Sequence, residues 1–219
     1  MAATLTTLRD RVEQILADTA NAIWDPTWLD EAIRLALAEY SQANPLAAVT
    51  TLTVPADSYE LDISAVSDLL SVTEVWVPYT AADPEHPPNR RAFEHWFDEQ
   101  ILFFPSYQLQ NGQTLRLFYT TPQTLNGLDA AAATSLPLSD ESLLVTGAAG
   151  HAAASRALDL TEQVTLDRLT AQQVRAWGLS KLQEFRTGLR RVEGRRQGTS
   201  SAFVPQPPLD RWDDEGDWA

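Results

Sequence analysis

The sequence contains no cysteine, and this absence excludes several kinds of chemistry at once. Without thiols the chain forms no disulfide, no thiolate nucleophile and no thiolate zinc site. There is also no run of about 18 apolar residues, the length that a membrane-spanning helix needs. The first residues lack a basic segment followed by an apolar one, so we expect no secretory signal. A chain of 219 residues then fits one large domain, or a domain with an insertion, and suits a cytosolic assembly.

Positive charge is scarce as well. The chain has 16 basic and 30 acidic residues, with a formal net charge of -14, and Lys181 is its only lysine. Non-specific binding to nucleic acid needs a cationic surface that releases counterions, so we expect no free binding to DNA. An acidic protein surface would still allow DNA to pass close to it without binding. The preference for arginine suits bidentate pairing at interfaces, and a GC-rich genome produces the same bias.

Motifs of catalysis and ligand binding are missing too. The sequence has no GxxxxGK[ST] phosphate loop, no HExxH and no GxSxG. His86, His95 and His151 have no metal-ligand spacing, and His151, which stands among alanines, is interpreted as a core or interface histidine. The acidic residues near the C-terminus lack the calcium-loop pattern. We therefore expect no enzyme activity, no cofactor and no metal site.

Half of the basic residues lie in one amphipathic segment or directly after it. From Thr165 to Val192 apolar residues recur at steps of three or four, which predicts one long helix of roughly 42 Å at about 1.5 Å per residue. Eight of the 16 basic residues fall between Arg168 and Arg196. The basic face is either a solvated surface or a contact with an acidic neighbour such as a second copy. The predicted apolar positions are Leu166, Leu169, Val174, Trp177, Leu182, Phe185, Leu189 and Val192.

Three other helices are predicted. Residues 4–18 have apolar positions at helical spacing, and a second helix begins at Asp25-Pro26 and stops at Asn44-Pro45. Trp24 and Trp28 flank its start and are expected to anchor a helical hairpin. A third helix begins at Ser139 and ends near residue 160, and its many glycines and alanines allow close packing against the long helix. The first two helices are no helix-turn-helix, because their connection, residues 17–24, is longer than the three- to four-residue turn. The second helix also exposes acids, so we expect no sequence-specific DNA binding.

The middle of the chain favours β-strands. Alternating residues predict a hairpin over 49–63 with a turn at 55–58, and a further strand over 72–79. Residues 91–100 are predicted as a short helix. Residues 101–104 and 114–119 are predicted as a second hairpin around Gly112. Residues 122–137 are interpreted as a linker.

The composition changes abruptly after Val192. Residues 194–219 are rich in glycine, serine, proline and acids, which predicts an extended arm. Its apolar residues are spaced like anchors that order on a partner, and an idle tail is the alternative. The predicted anchors are Phe203, Leu209, Trp212 and Trp218.

The fold class that follows is α+β: a helical bundle, made of an N-terminal helical hairpin and two long C-terminal helices, with a β-rich insertion and an extended C-terminal arm. The predicted parts are the N-terminal hairpin, 1–48; the β-rich insertion, 49–121; the C-terminal helices, 122–193; and the arm, 194–219.

Three stretches follow one another near the start: Thr7-Leu8-Arg9-Asp10-Arg11-Val12, Trp24-Asp25-Pro26-Thr27-Trp28-Leu29, and Ala32-Ile33-Arg34-Leu35-Ala36-Leu37-Ala38-Glu39-Tyr40. With the insertion, the returning helices and the arm, this arrangement resembles the head-to-tail adaptor proteins of tailed bacteriophages, also called connector or head completion proteins. The resemblance implies a virion structural protein of the neck, assembled in the host cytoplasm. Such proteins form a homo-oligomeric ring, usually twelvefold, under the portal. The ring extends the DNA channel and docks the tail.

The resemblance also implies partners: other copies of the chain, the portal protein, and a tail or neck protein, with DNA passing through the channel without specific binding. We expect the basic cluster to meet acidic surface on a neighbouring subunit or on the portal, and the arm to grip a partner. Two other interpretations stay open, a tail-completion or neck protein, and a cellular helical module that binds a partner through its acidic, Trp-bearing arm. The predicted contact arginines are Arg186, Arg190, Arg191, Arg195 and Arg196.

Overall fold

The computed structural model describes residues 3–20, 22–82, 89–162 and 168–199. At residues 158–162, 168–170 and 196–199 it describes the backbone alone. This part of the chain is α+β, as predicted. Its helices are α1 (Leu5–Ile15), α2 (Pro26–Ala43), α3 (Glu141–Glu162) and α4 (Arg168–Thr199). Its strands are β1 (Leu46–Thr53), β2 (Glu60–Asp62), β3 (Ser71–Trp76), β4 (Glu94–Trp96), β5 (Ile101–Phe103) and β6 (Thr114–Thr121). Short 3-10 turns cover Phe97–Glu99 and Leu138–Asp140. No helix in the described ranges combines the length and the apolar composition of a bilayer span.

Local side chains determine where the first helices begin. Thr4 and Thr7 form a reciprocal capping box at the start of α1. Asp25 caps α2 by accepting a hydrogen bond from the Thr27 amide at 2.8 Å, and Pro26 occupies the first turn, where no N–H is needed. Asn44 ends the helix. The predicted bounds of α2 are confirmed.

Helices α3 and α4 pack against each other through small residues, as the glycines and alanines of α3 predict. A Cβ on Gly147 would lie 2.8 Å from the Phe185 ring, and one on Gly150 would lie 2.9 Å from the Leu182 side chain. Both are closer than carbon atoms normally approach. The two helices therefore meet at a distance that only glycine permits at these positions, and Phe185 is fully buried there.

We expect Gly147→Ala to destabilise the fold by about 1–3 kcal/mol, because the new methyl group overpacks a contact with an aromatic ring. The matched control is Gly194→Ala in α4, where a Cβ meets nothing within 4 Å. That change should stabilise the protein by roughly 0.5–1 kcal/mol through helix propensity. Urea unfolding followed by circular dichroism measures both, and equal shifts in the same direction would contradict the close contact.

The strands form two three-stranded antiparallel sheets, of order β1-β6-β3 and β2-β5-β4, around a core separate from that of the bundle. The predicted hairpin over 49–63 is wrong, because β1 pairs with β6 and β2 pairs with β5. The predicted hairpin around Gly112 is also wrong: Val54 exchanges backbone hydrogen bonds with Gly112 and Gln113, so this turn extends the β1–β6 ladder. Alternating patterns predict strands but do not specify their partners.

Two further predictions are corrected. The predicted helix over 91–100 is instead the strand β4 followed by a 3-10 turn, because Phe93 and His95 point inward while Glu94 and Trp96 alternate with them, a period of two. Residues 122–137 are no loose linker. They have neither helix nor strand, but three leucines of this segment are buried in the bundle core, and Asn126 accepts a hydrogen bond from the Leu5 amide at 2.9 Å. The buried leucines are Leu125, Leu128 and Leu136.

The long predicted helix corresponds to α4, and its apolar positions from Leu182 to Val192 are buried. Trp177 is a correction, because 37 % of it is exposed. Phe185 lies eight residues further on and faces the core. Eight residues rotate the chain by about 80° at 100° per residue, so Trp177 lies at the edge of the buried side of the helix rather than at its centre. Leu166 lies outside the described residues. The helix continues to Thr199, past the predicted start of the arm at residue 194.

Candidate assembly surface

The C-terminal half of α4 carries its buried and its basic residues on different sides. Leu182, Phe185, Leu189 and Val192 pack into the bundle core, whereas the predicted contact arginines of this half are exposed wherever the structure describes their side chains. The structure divides those arginines into two groups, two that bind acids of their own chain and two that do not.

Arg186 lies at the junction of α4 with α2 and α3. Its Nε donates to Glu39 Oε2 at 3.4 Å, and its side chain is 60 % exposed. The same glutamate lies 3.1 Å, through Oε1, from the Nε2 atom of His151. Burial lowers the pKa of His151, and the nearby Arg186 adds to this effect while Glu39 opposes it. At neutral pH His151 is therefore an uncharged partner of Glu39, which fits the interpretation of a packed histidine.

Arg195 is part of a network around a buried carboxylate, Asp140. Its guanidinium donates to Asp140 Oδ1 at 2.8 Å, and the Tyr40 hydroxyl donates to Oδ2 at 2.7 Å. Burial acts to raise the pKa of Asp140, but the hydrogen bonds from Arg195, Tyr40 and Ser139 outweigh it, so the pKa lies below its usual value. Burial, with Asp140 beside it, raises the pKa of Tyr40 to about 12. Arg195 thus connects the end of α4 to α2 and to the start of α3.

Arg190 and Arg191 are different. Both are exposed, and neither side chain forms a hydrogen bond or an ion pair with any residue in the described ranges. Between Phe185 and Arg195 the helix carries four arginines and one glutamate, Glu193. Two adjacent guanidinium groups on a rigid helix, in a protein of net charge -14, form an isolated positive surface. We call it the arginine end of α4.

The remaining predicted contact residues are not placed. The side chain of Arg196 and all of Phe203, Leu209, Trp212 and Trp218 lie outside the described residues.

The sheet β2-β5-β4 has an outward surface that was not predicted from the sequence. The register aligns Glu60, Phe103 and Glu94 in one row across the sheet and Asp62, Ile101 and Trp96 in the next. Leu61, Leu102 and Phe104 are buried against the other sheet, so these two rows face outward. The 3-10 turn that directly follows Trp96 carries Phe97, which is 53 % exposed, and two more acids, Asp98 and Glu99. We call this surface the acid-rimmed face; its residues are Glu60, Asp62, Glu94, Trp96, Phe97, Asp98, Glu99, Ile101 and Phe103.

The aromatic rings of this surface pack against neighbouring rings. The Trp96 and Phe103 rings stack with their centroids 5.2 Å apart, and the Phe97 ring packs edge-on against His95 at 5.3 Å. None of its five carboxylates forms an ion pair within the described part of the chain. The signal in the sequence was the run Glu94-His95-Trp96-Phe97-Asp98-Glu99, which combines aromatic and acidic residues and has no lysine or arginine.

The outer side of the other sheet has an aromatic cluster with its own cation. Arg116 donates to the Tyr79 hydroxyl at 2.7 Å and lies 5.3 Å from the centre of the Phe118 ring. Trp76 packs on Phe118 at 4.7 Å. This arginine is therefore already engaged within its own chain, unlike Arg190 and Arg191.

A third feature is an apolar groove of about 340 Å³ where the end of α1 meets α3 and α4. The indole N–H of Trp24 is buried there and has no hydrogen-bond partner among the described residues. The exposed ring of Trp177 forms part of its wall. The lining residues are Ile15, Leu16, Trp24, Ala153, Gln173, Val174 and Trp177.

In the ranges that the structure describes, no group of three or more His, Asp or Glu side chains is arranged to hold a metal ion. Comparison with protein-family models finds no match to this chain, and comparison with curated proteins finds none either.

Proposed function

We propose that this protein is a virion structural protein, a head-to-tail adaptor that forms a ring under the portal, extends the DNA channel and docks the tail. The observation that carries the proposal is the arginine end of α4. Arg190 and Arg191 are exposed, adjacent and unpaired within the described residues, although the protein has almost twice as many acids as bases. A positive surface of this kind on an acidic protein is suited to an acidic partner.

A ring explains why one chain would carry both a positive surface and an acidic one. In a closed ring each subunit uses one face to contact a different face of the next subunit. Opposite charges on the two faces favour this alignment of neighbouring subunits, because placing like charges opposite each other costs energy. The bundle contact of α3 with α4 supplies a rigid support for the arginine end.

The charge of the whole chain also suits a channel. A ring built from subunits of net charge -14 repels the DNA phosphates at its inner wall, so DNA passes without binding. The order of helical hairpin, β-rich insertion and long returning helices is the order that the family resemblance implies, and the segment 200–219 that follows α4 would grip the portal or a neighbouring subunit.

We expect the purified protein to form closed rings, or to form them on its cognate portal. Native mass spectrometry gives the subunit number, and electron microscopy of the ring with the portal gives its place. A twelvefold ring on the portal is the expected result. A sixfold ring would favour a tail-completion protein instead. A protein that stays monomeric beside the portal would contradict the adaptor proposal, and would favour a cellular module that binds through its acidic arm.

A further inference from the structure

We propose that the acid-rimmed face of one subunit docks on the arginine end of α4 in the next subunit. This inference rests on the proposed ring and names the two surfaces that would form its repeated contact. The occupant of the acid-rimmed face is therefore a second copy of this chain.

The acid-rimmed face has the composition of an interface rather than of an ordinary solvated sheet. Trp96 is 38 % exposed, lies opposite the half-buried Ile101 and stacks on the half-buried Phe103. Phe97, the next residue along the chain, is 53 % exposed. Exposed apolar patches bounded by polar residues mark interaction sites, and aromatic residues at their centre carry much of the binding energy. The five carboxylates that border this patch have no cation within the described chain, so they determine the sign of the partner.

The arginine end of α4 offers the matching charge. Arg190 and Arg191 supply ten N–H donors from two planar groups, whose geometry suits bidentate bonds to carboxylates. The nearby Glu193 offsets only part of this charge. The guanidinium of Arg116, by contrast, is bound to Tyr79 and packed among aromatic rings, and Arg90 forms an ion pair with Glu74. Arg190 and Arg191 are thus two adjacent arginines whose side chains have no ion pair within the described residues, and both lie on α4.

The two surfaces are suited to a head-to-tail contact, the kind of contact from which a ring is built. The acid-rimmed face lies on the sheet β2-β5-β4 and the arginine end lies on α4, so one surface cannot pair with itself without bringing like charges together. A head-to-tail contact, in which each pair of subunits joins through one acid-rimmed face and one arginine end, leaves the other acid-rimmed face and the other arginine end of the pair free. Further copies can add until the ring closes.

Charge reversal tests the contact. One variant carries Glu60→Arg and Glu94→Arg, and the other carries Arg190→Glu and Arg191→Glu. All four side chains are exposed and none has an ion pair within the described residues, so the fold should be retained, which circular dichroism checks. Each variant alone is expected to lose the ring at concentrations where the wild type is fully assembled. A 1:1 mixture is expected to regain it, because alternating subunits restore opposite charges at every contact.

Matched controls separate this contact from a general effect of charge. Asp10→Arg makes the same kind of acid reversal on an exposed residue of α1, and Arg175→Glu reverses a base on α4 roughly 22 Å from Arg190 at about 1.5 Å per residue. Both controls are expected to assemble like the wild type. Ring assembly of the wild type is also expected to weaken as salt is raised, because the contact depends on exposed charges.

The absence of cysteine allows a second measurement that does not depend on disrupting the ring. A Glu94→Cys variant mixed with an Arg191→Cys variant should form a disulfide-linked pair on mild oxidation, whereas either variant alone should not. Rings of wild-type mass from both reversed variants, or no cross-link in the mixture, would overturn the contact and leave the adaptor proposal intact. A wild-type protein that forms no ring on its portal would instead overturn the adaptor proposal.

Discussion

Phe185→Ala is expected to lower the free energy of unfolding by about 3–5 kcal/mol, the range typical of deleting a fully buried aromatic side chain. Phe185 has no exposed surface, and its ring lies where a Cβ on Gly147 would be 2.8 Å away. The ring therefore fills the space that the glycines of α3 leave open. Removing it leaves a cavity that the rigid α3–α4 contact cannot close by a small shift.

Phe185→Leu is the matched control, since it keeps an apolar side chain at the same position and should lose less stability than the alanine variant. Urea unfolding at neutral pH gives both values. A loss below about 1.5 kcal/mol for Phe185→Ala would mean that the site collapses onto the deleted ring, and would contradict the close packing of the two helices. A double variant that adds Gly147→Ala should recover part of the loss, because the new methyl group enters the cavity.

The sequence was a good guide to this bundle because its signals are local. A cap such as Asp25 with Pro26 determines where a helix begins through hydrogen bonds to the next few residues, and Asn44 with Pro45 ends it in the same way. The glycines of α3 predict close packing because any side chain there would collide with a neighbour. None of these inferences needs a residue that is distant in sequence.

The pairing of the strands depends on distant residues, and it was predicted wrongly. Leu52 lies opposite Leu115, and Leu61 lies opposite Leu102, which are separations that no local pattern encodes. The wrong pairing also concealed a candidate functional surface. The acid-rimmed face exists only because β2 and β4 flank β5, which aligns Glu60 with Glu94 across Phe103. With β2 in a hairpin with β1, those acids would not have shared a surface.

The predicted contact arginines also depend partly on local sequence and partly on distant residues. Their clustering on one helix was readable from the sequence, but their individual roles were not. Arg186 and Arg195 bind Glu39 and Asp140 of their own chain, which lie 147 and 55 residues away, and only Arg190 and Arg191 are left without a partner in the described residues.

Asp140→Ala is expected to lower the free energy of unfolding by about 2–4 kcal/mol, because a buried hydrogen-bond network loses its acceptor. The Asp140 side chain is only 7 % exposed, and it accepts from Arg195, Tyr40 and Ser139. Without it the buried Tyr40 hydroxyl keeps only the bond that it accepts from Asn44 at 2.8 Å, and its own proton has no acceptor. The loss also removes the ion pair that connects Arg195, near the end of α4, to the rest of the bundle.

Asp140→Asn separates the charge from the hydrogen bonds. The amide oxygen can still accept from Tyr40, so this variant should lose less stability than Asp140→Ala, while the attraction for Arg195 disappears. The carboxylate has a pKa below its usual 3.8 in the folded protein, so it binds a proton more weakly there than in the unfolded chain. Its contribution to stability is therefore complete above about pH 4 and disappears as the pH falls through the lower, folded pKa.

The difference in unfolding free energy between the wild type and Asp140→Asn should then be constant from pH 7 to about pH 5 and shrink below pH 4. Urea unfolding at a series of pH values measures that difference, which cancels the contributions of the other carboxylates shared by the two proteins. A difference that stayed the same at pH 3 would mean that the ion pair with Arg195 contributes nothing. The end of α4 would then be held by packing of Leu189 and Val192 alone, and its arginines would be less firmly positioned for a neighbouring subunit.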